Sequence, residues 1–312
     1  MSRELKEKGL IEYEWLFRFY CLYSHAERKI QPGTYELNHL YDYHALVNGM
    51  TPSTGLRATT EVTIPEGYEC EDIFALLEEA GVSTVSELEQ AAASYEFDYS
   101  FLQDLPYGDK NRLEGYLFPE TYEFLKDDTV HNYVATFYAQ FDAQITDEMY
   151  AELKKQDMTL PQLITLASFV QEEAGNSQDS NVAQVFRNRL AADSPYPRLQ
   201  SNTSSYIQSD SDNNYLWNWV APYYGGWDNI PENIVAAYDT YSCKGLPAGP
   251  ISNPGIAAIK AALAPQPNEE AKDAYFFVTD LKGSYYYART LSEHSANCQK
   301  AAQVNKTVNT EK

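Results

Sequence analysis

The chain has 312 residues, with 23 Lys and Arg against 45 Asp and Glu, so its net charge is −22. That length suits roughly two domains, and that charge opposes phosphate backbones and anionic headgroups, which argues against nucleic acid as a partner. A hydrophobic fraction of 44% excludes wholesale disorder. No run approaches the roughly 18 apolar residues that a membrane helix needs. The charged start, Ser2-Arg3-Glu4-Leu5-Lys6, reads as helix rather than secretory signal, which suits a soluble protein or a piece whose export segment is gone. Cys21, Cys70, Cys243 and Cys298 are dispersed, with no C-x-x-C, and the five histidines show no paired spacing. These argue against a zinc site and read as buried free thiols rather than disulfides.

In chain order, apolar positions at Leu10, Ile11, Trp15, Leu16, Phe19 and Tyr20 predict a helix over 3–30, broken by Pro32-Gly33. Thr34 to Leu37 suits a short strand, and Asp42 to Gly49 a helix. Alternation over Ala58 to Ile64 predicts a strand, ended by Pro65-Glu66-Gly67. Helices follow over Glu71 to Ala80 and Val85 to Ser94, then over 130–155, 160–174, 181–192 and 253–263. The stretch 195–235 reads as irregular. Tyr275 to Thr279 and Ser284 to Tyr287 form a hairpin turning at Asp280 to Gly283, and a helix over 291–303 closes the chain. The fold class is α+β: a small α/β module over 1–62, then a larger, helix-rich domain over 63–312 that opens with a helical connector over 63–104.

Four stretches carry chemistry. In the helix Pro161 to Gly175, Leu163, Ile164, Leu166, Ala167, Phe169 and Val170 define an apolar arc. At about 100° per residue Glu173 falls beside that arc and Glu172 almost opposite it. A carboxyl at the border of core and cleft is partly desolvated, which favours its protonated form and suits a general acid; two solvated glutamates near a helix end are the plainer reading. Glu114 precedes Gly115 within an aromatic run, as a ligand contact or as an ion-pair partner of Arg112 or Arg187. Lys244 to Gly255 is a rigid Gly/Pro loop in which Asn253 could cap the next helix with Pro254 at its first position. Tyr215, Trp217, Trp219, Tyr223, Tyr224 and Trp227 are either core rings or platforms for sugar faces.

These stretches, together with Ile64-Pro65-Glu66-Gly67, Leu113 to Tyr122, Ala167 to Glu173, Val185 to Leu190, Leu199-Gln200-Ser201, Tyr238 to Tyr241 and Phe277 to Asp280, occur in an order that resembles the MltG (YceG-like) endolytic murein transglycosylases over nearly the whole chain. The resemblance implies a LysM-like module over 1–62, a mixed catalytic domain, and no cofactor or metal. It implies the extracytoplasmic face of the bacterial membrane, behind an N-terminal anchor helix absent from this chain. It further implies peptidoglycan glycan strands as substrate and peptidoglycan synthases as partners. The family's catalytic glutamate falls on Glu173, and the acid two residues before it is Gln171 here. Asn188, Gln200, Tyr241 and Tyr285, with Glu114, Trp217, Trp219 and Trp227, are the candidate substrate contacts. Asn202-Thr203-Ser204 replaces the usual aspartate, proline and threonine, Tyr285 stands for a common histidine, and Ser295 follows His294 where asparagine is usual.

The reaction so implied cuts the bond between N-acetylmuramic acid and N-acetylglucosamine with one carboxyl. The acid protonates the leaving oxygen, then as base takes the proton of the muramyl C6 hydroxyl, which closes to a 1,6-anhydro product. The tethered hydroxyl replaces an activated water, whereas ordinary glycosidases need two carboxylates. The competing expectation is a non-catalytic glycan-binding or scaffold protein of the cell-wall synthesis machinery.

Overall fold

The single helix expected over 3–30 is two helices, α1 (Ser2–Glu7) and α2 (Glu14–Tyr23). Gly9 causes the break. Its φ of +72° is a left-handed conformation that other residues resist. Leu10 N–H reaches back to the Leu5 carbonyl at 2.9 Å, the closing bond of a Schellman helix end. Phe17 and Cys21 of α2 then pack with Leu5, Ile11, Leu46, Val47 and Met50. Leu46 and Val47 come from α3 (Tyr43–Gly49), which Asp42 caps by accepting from Ala45 N–H at 2.7 Å. The structure is a computed structural model and describes residues 1–26, 29–30, 37–51, 59–95, 97, 99–102, 112–126, 128–174, 178–201 and 216–310. Most of the strand expected at Thr34 to Leu37 lies outside them.

β1 (Thr59–Thr63) forms where alternation placed it, and it pairs antiparallel with β2 (Thr121–Leu125), Val62 opposite Tyr122. The buried rings of β2, Tyr122 and Phe124, meet Phe137 of α6 (Val130–Gln144) at 4.5 and 5.7 Å between centroids. α4 (Cys70–Glu79) and α5 (Val85–Ser94) match their expected spans to within a residue, and α5 opens with a Thr84–Glu87 capping box. One compact unit gathers residues 1–63, 73–112 and 121–140, so residues 1–62 share it with later stretches.

The second unit gathers 64–72, 113–120 and 141–312. The helix expected over 130–155 ends at Gln144. Thr146 then caps a separate α7 (Asp147–Lys155), accepting from Met149 N–H at 3.3 Å. α8 (Leu160–Glu173) packs on α9 (Asp179–Leu190) and on α11 (Ile256–Leu263), with α10 (Glu232–Tyr238) between them in sequence. The hairpin of β3 (Phe276–Thr279) and β4 (Tyr285–Ala288) forms as expected. It packs on α12 (Leu291–Thr310), which runs beyond the predicted 303. Within the stretch expected to be irregular, 202–215 lie outside the described residues, and α10 and a π-helical turn at Leu216–Val220 are ordered helix.

All four cysteines are free thiols. Among the described residues no helix is long and apolar enough to cross a membrane, and no group of His, Cys, Asp and Glu has the geometry of a metal site.

Candidate active site

α8 starts with a Thr159–Gln162 capping box and a proline in its first turn. It is buried on every side from Leu163 to Val170, Thr165 and Ser168 included. The two hydroxyls are accommodated by hydrogen bonds: Thr165 to the Pro161 carbonyl, and Ser168 to the Thr165 carbonyl, while Ser168 also accepts from Ile251 N–H. A helix so enclosed holds its last residues firmly, and its last residue is Glu173.

Glu173 opens into a cleft of about 440 Å³ also lined by Arg189, Gln200, Ser201, Tyr241, Phe276 and His294. Among the described residues lining it, Glu173 is the one carboxyl. Ser201 Oγ donates to Glu173 Oε1 at 2.6 Å, and the Tyr285 hydroxyl donates to the Glu173 carbonyl at 3.3 Å. Ser201 is itself pinned, because buried Thr240 donates to its carbonyl at 2.6 Å while Gln200 N–H donates to the Thr240 carbonyl at 3.1 Å.

Gln200 adopts φ +54°, which costs a non-glycine residue energy that its surroundings must supply. Arg189 is that support. Its buried guanidinium donates to Gln200 Oε1, to the Arg198 carbonyl at 2.6 Å and to the Tyr275 carbonyl at 2.7 Å, and lies 5.1 Å above the Phe276 ring. Burial lowers its pKa to about 10, so it stays a cation at neutral pH. Burial and this cation hold His294 below the ordinary imidazole range, and the ring stacks on Phe276 at 5.2 Å. Arg189, Ser201 and Thr240 fall within three of the stretches that carry the family resemblance, but none was given a role of its own. The pattern of side-chain donors facing a left-handed Gln200 leaves no periodic trace.

Gln200, Tyr241 and Tyr285 thus gather around Glu173. The other candidates lie elsewhere. Glu114 is buried away from the cleft lining, where it accepts from Cys70 N–H at 3.1 Å and Asn253 Nδ2 at 2.9 Å. Arg187, offered as its ionic partner, donates instead to the Ala262 carbonyl and to Gln156. Asn188 holds the approach to β3, donating to the Lys272 and Ala274 carbonyls at 3.1 and 2.8 Å. Trp217 and Trp227 stack on each other at 5.8 Å and are not among the cleft-lining residues; the Trp219 side chain lies outside the described residues. Asn253 does not cap α11, whose N-cap is Gly255. Fully buried, it accepts from Leu117 N–H at 2.8 Å and donates to Glu114 and to the Tyr68 carbonyl.

Glu172 is only partly exposed, not freely solvated as its helical phase suggested, because the turn at Gly67 packs against its carboxyl. A Cβ on Gly67 would lie 3.0 Å from Glu172 Oε1, and that oxygen is buried without a hydrogen bond. Burial raises the pKa of Glu172 to about 7, with the Glu173 charge adding to it. Burial likewise raises Glu114 to about 8, and Glu69 beside Asp72 is pushed up too. Each folded-state pKa lies above the unfolded value, so the proton is bound more tightly in the folded state. This stability is fully present below the ordinary carboxylate range and is lost as pH rises through 7 and 8. Thermal melts should show Tm falling from about pH 5 to about pH 8 and levelling off above it, at up to about 1.4 kcal/mol per pH unit for each proton held. Glu172→Gln should flatten the slope; an unchanged slope in that variant would mean that Glu172 is ionised throughout.

The YceG-like family model matches residues 1–300, and the chain belongs to the YceG-like family. It is 30% identical over 331 aligned residues to the endolytic murein transglycosylase of Streptococcus pneumoniae serotype 2, covering 98% of this chain and 56% of that relative. It is 29% identical over 309 residues to the endolytic murein transglycosylase of Bacillus subtilis, covering 93% and 78%. A crystal structure of a YceG-like protein from Listeria monocytogenes aligns with a TM-score of 0.58 at 27% identity, covering 95% of this chain and 93% of that one. The chain spans about half the length of the pneumococcal relative, 56%.

Proposed function

We propose that this chain is an endolytic lytic transglycosylase that cuts peptidoglycan glycan strands between N-acetylmuramic acid and N-acetylglucosamine, leaving 1,6-anhydromuramyl ends. The observation that carries this reading is Glu173, the one carboxyl among the described residues lining the cleft, fixed by the Ser201 hydroxyl. With one oxygen held by Ser201, the other would carry the proton that passes to the leaving glycosidic oxygen. The resulting carboxylate then takes the proton of the C6 hydroxyl as that oxygen closes on C1. Acid and base roles fall to one group in turn. Gln200 and Tyr241 line the cleft where the sugar would lie, Tyr285 holds the Glu173 carbonyl, and Arg189 acts through Gln200 rather than on the substrate.

Family membership supports the remaining parts of the reading. These are a LysM-like module over 1–62 followed by a catalytic domain that opens with the 63–104 connector, work at the extracytoplasmic face of the membrane, and peptidoglycan synthases as partners. Digestion of long, isolated glycan strands tests the internal mode of cutting. Early products of intermediate length are expected; release of disaccharides from strand ends would contradict it.

The exposed Trp217 ring, paired with Trp227, is proposed as a remote sugar platform. Trp217→Ala should weaken strand binding by roughly 1–3 kcal/mol, by analogy with base stacking, with little change in turnover of short fragments. Unchanged binding by calorimetry would make the pair a packing feature.

A further inference from the structure

A cavity of about 290 Å³ lies within the first unit, between the 38–49 stretch that runs into α3 and the face of α6 that carries Asn132, Thr136 and Ala139. Leu40, Ala45, Ala135 and Ala139 give it apolar walls. Small-molecule sites combine such walls with a few convergent polar groups. The donors among those groups are engaged inside the fold. The Tyr133 hydroxyl donates to the Leu125 carbonyl at 2.8 Å, the Thr136 hydroxyl donates to the Asn132 carbonyl at 2.8 Å, and Asn48 Nδ2 lies 3.2 Å from His44 Nδ1.

Acceptors are left over. Asn132 is only 9% exposed. Its Nδ2 donates to Asp128 Oδ1 at 2.8 Å; a carboxylate only accepts, so this contact fixes which way the amide points. Asn132 Oδ1 is then buried in the cavity wall without a hydrogen bond, a state that costs stability until something donates to it. Asp128 Oδ1 also accepts from Thr129 N–H at 2.8 Å, which leaves Oδ2 for another donor. Charge points the same way. Glu123 and Asp128 line the cavity, and no Lys, Arg or His is among the described residues that do. Glu61 stands directly opposite Glu123 across the β1–β2 ladder, a like-charge pair that a nearby cation relieves. A hydroxyl or amide donor satisfies Asn132 alone, whereas an ammonium group brings positive charge together with several donors.

We propose that this cavity binds a primary ammonium group at the end of an aliphatic chain, with Asn132, Asp128 and Glu123 taking its N–H groups and Leu40, Ala135 and Ala139 flanking the chain. The residue class that matches is a diamino acid with a free side-chain amine. On the function proposed above, its carrier is a peptide attached to the glycan strand, so strands whose side-chain amines are already amide-bonded would not be held here. That carrier rests on the proposed function; the ammonium site does not.

Ligand-observed NMR titration of the full chain with Nα-acetyl-lysine methylamide tests the site without any cutting, so its failure is distinct from failure of the transglycosylase reading. Saturable binding with a Kd on the order of 1 mM is expected for a ligand of this size. Acetylating the side-chain amine of the probe should weaken binding roughly 10-fold or more, as the loss of hydrogen bonds to a charged group does. Asn132→Leu should weaken it to a similar degree. Should that variant lose its fold, Ala139→Lys, at an exposed position of α6, sets a tethered ammonium at the cavity and should exclude the probe. Absence of binding to the unmodified chain overturns the proposal, as does equal binding of the acetylated probe or equal binding by the variants. Binding of N-acetylglucosamine that Asn132→Leu abolishes, in a chain that ignores the lysine probe, would assign the cavity to a sugar instead.

Discussion

Glu173→Gln should lower the rate of anhydromuramyl-end formation about 10²–10⁴-fold, the usual worth of general acid–base catalysis. The loss should sit at the upper end, because one group acts first as acid and then as base. Glutamine keeps an oxygen that can accept from Ser201 Oγ, so the contact now 2.6 Å long survives, and strand binding should change little. Turnover and strand affinity are measured side by side on the same preparation. A fall in kcat with an unchanged Kd fits the assignment; loss of both together would point to a local collapse of the 199–201 segment. Ser201→Ala separates positioning from chemistry, since it leaves the carboxyl in place and removes only the donor that orients it. A smaller fall, of about 10-fold, is expected there, in line with the loss of one hydrogen bond to a charged group.

The second large effect concerns Asn253. Its side chain satisfies three buried groups at once: Leu117 N–H, the Tyr68 carbonyl and Glu114 Oε1. Asn253→Ala leaves the buried Leu117 N–H without a partner and removes a donor from Glu114. At about 1–3 kcal/mol for each orphaned group, the cost should reach about 3–5 kcal/mol and lower Tm by roughly 10 °C. Asn253→Asp sharpens the test. It keeps the acceptor for Leu117 but sets a second carboxyl against Glu114, whose pKa is already raised to about 8 by burial. Its destabilisation should therefore be mild near pH 5 and severe near pH 8. Denaturant titration at both pH values measures this, and a cost that does not change with pH would separate Asn253 from the Glu114 charge.

Much of the fold could be read from local pattern. The alternation at Thr59–Thr63, Pro161 at the start of α8 and the Asp280–Gly283 turn are all short-range signals, and each element formed where they put it. The errors came where a local break was hidden by periodicity on either side of it, or where a distant partner decided the outcome. Gly9 and Ile145-Thr146 interrupt apolar runs that satisfy helical periodicity on both sides. Asn253 before Pro254 has the sequence of a cap, yet Leu117, 136 residues away, competes for its oxygen and wins.

The site divides the same way. Glu173 was legible because it follows the apolar run of α8. Glu172 was misjudged by the same rule, which presumes open solvent where Gly67 packs on its carboxyl. Glu114 stood out as a carboxyl beside glycine, and the reason is structural: a Cβ on Gly115, at φ +87°, would come within 2.7 Å of Ile164 and Pro250. Arg189 and Thr240 lie in stretches that carry the resemblance, but their roles were not legible, since each acts on a backbone or amide group brought near only by folding.

The most direct measurement is mass spectrometry of the products formed when the unmodified chain is incubated with purified peptidoglycan. Fragments ending in 1,6-anhydromuramic acid, with no water added at the cut and absent when Glu173→Gln is used, are predicted. Hydrated reducing ends would contradict single-carboxyl chemistry, and intact strands bound without any cut would make the chain a glycan-binding protein.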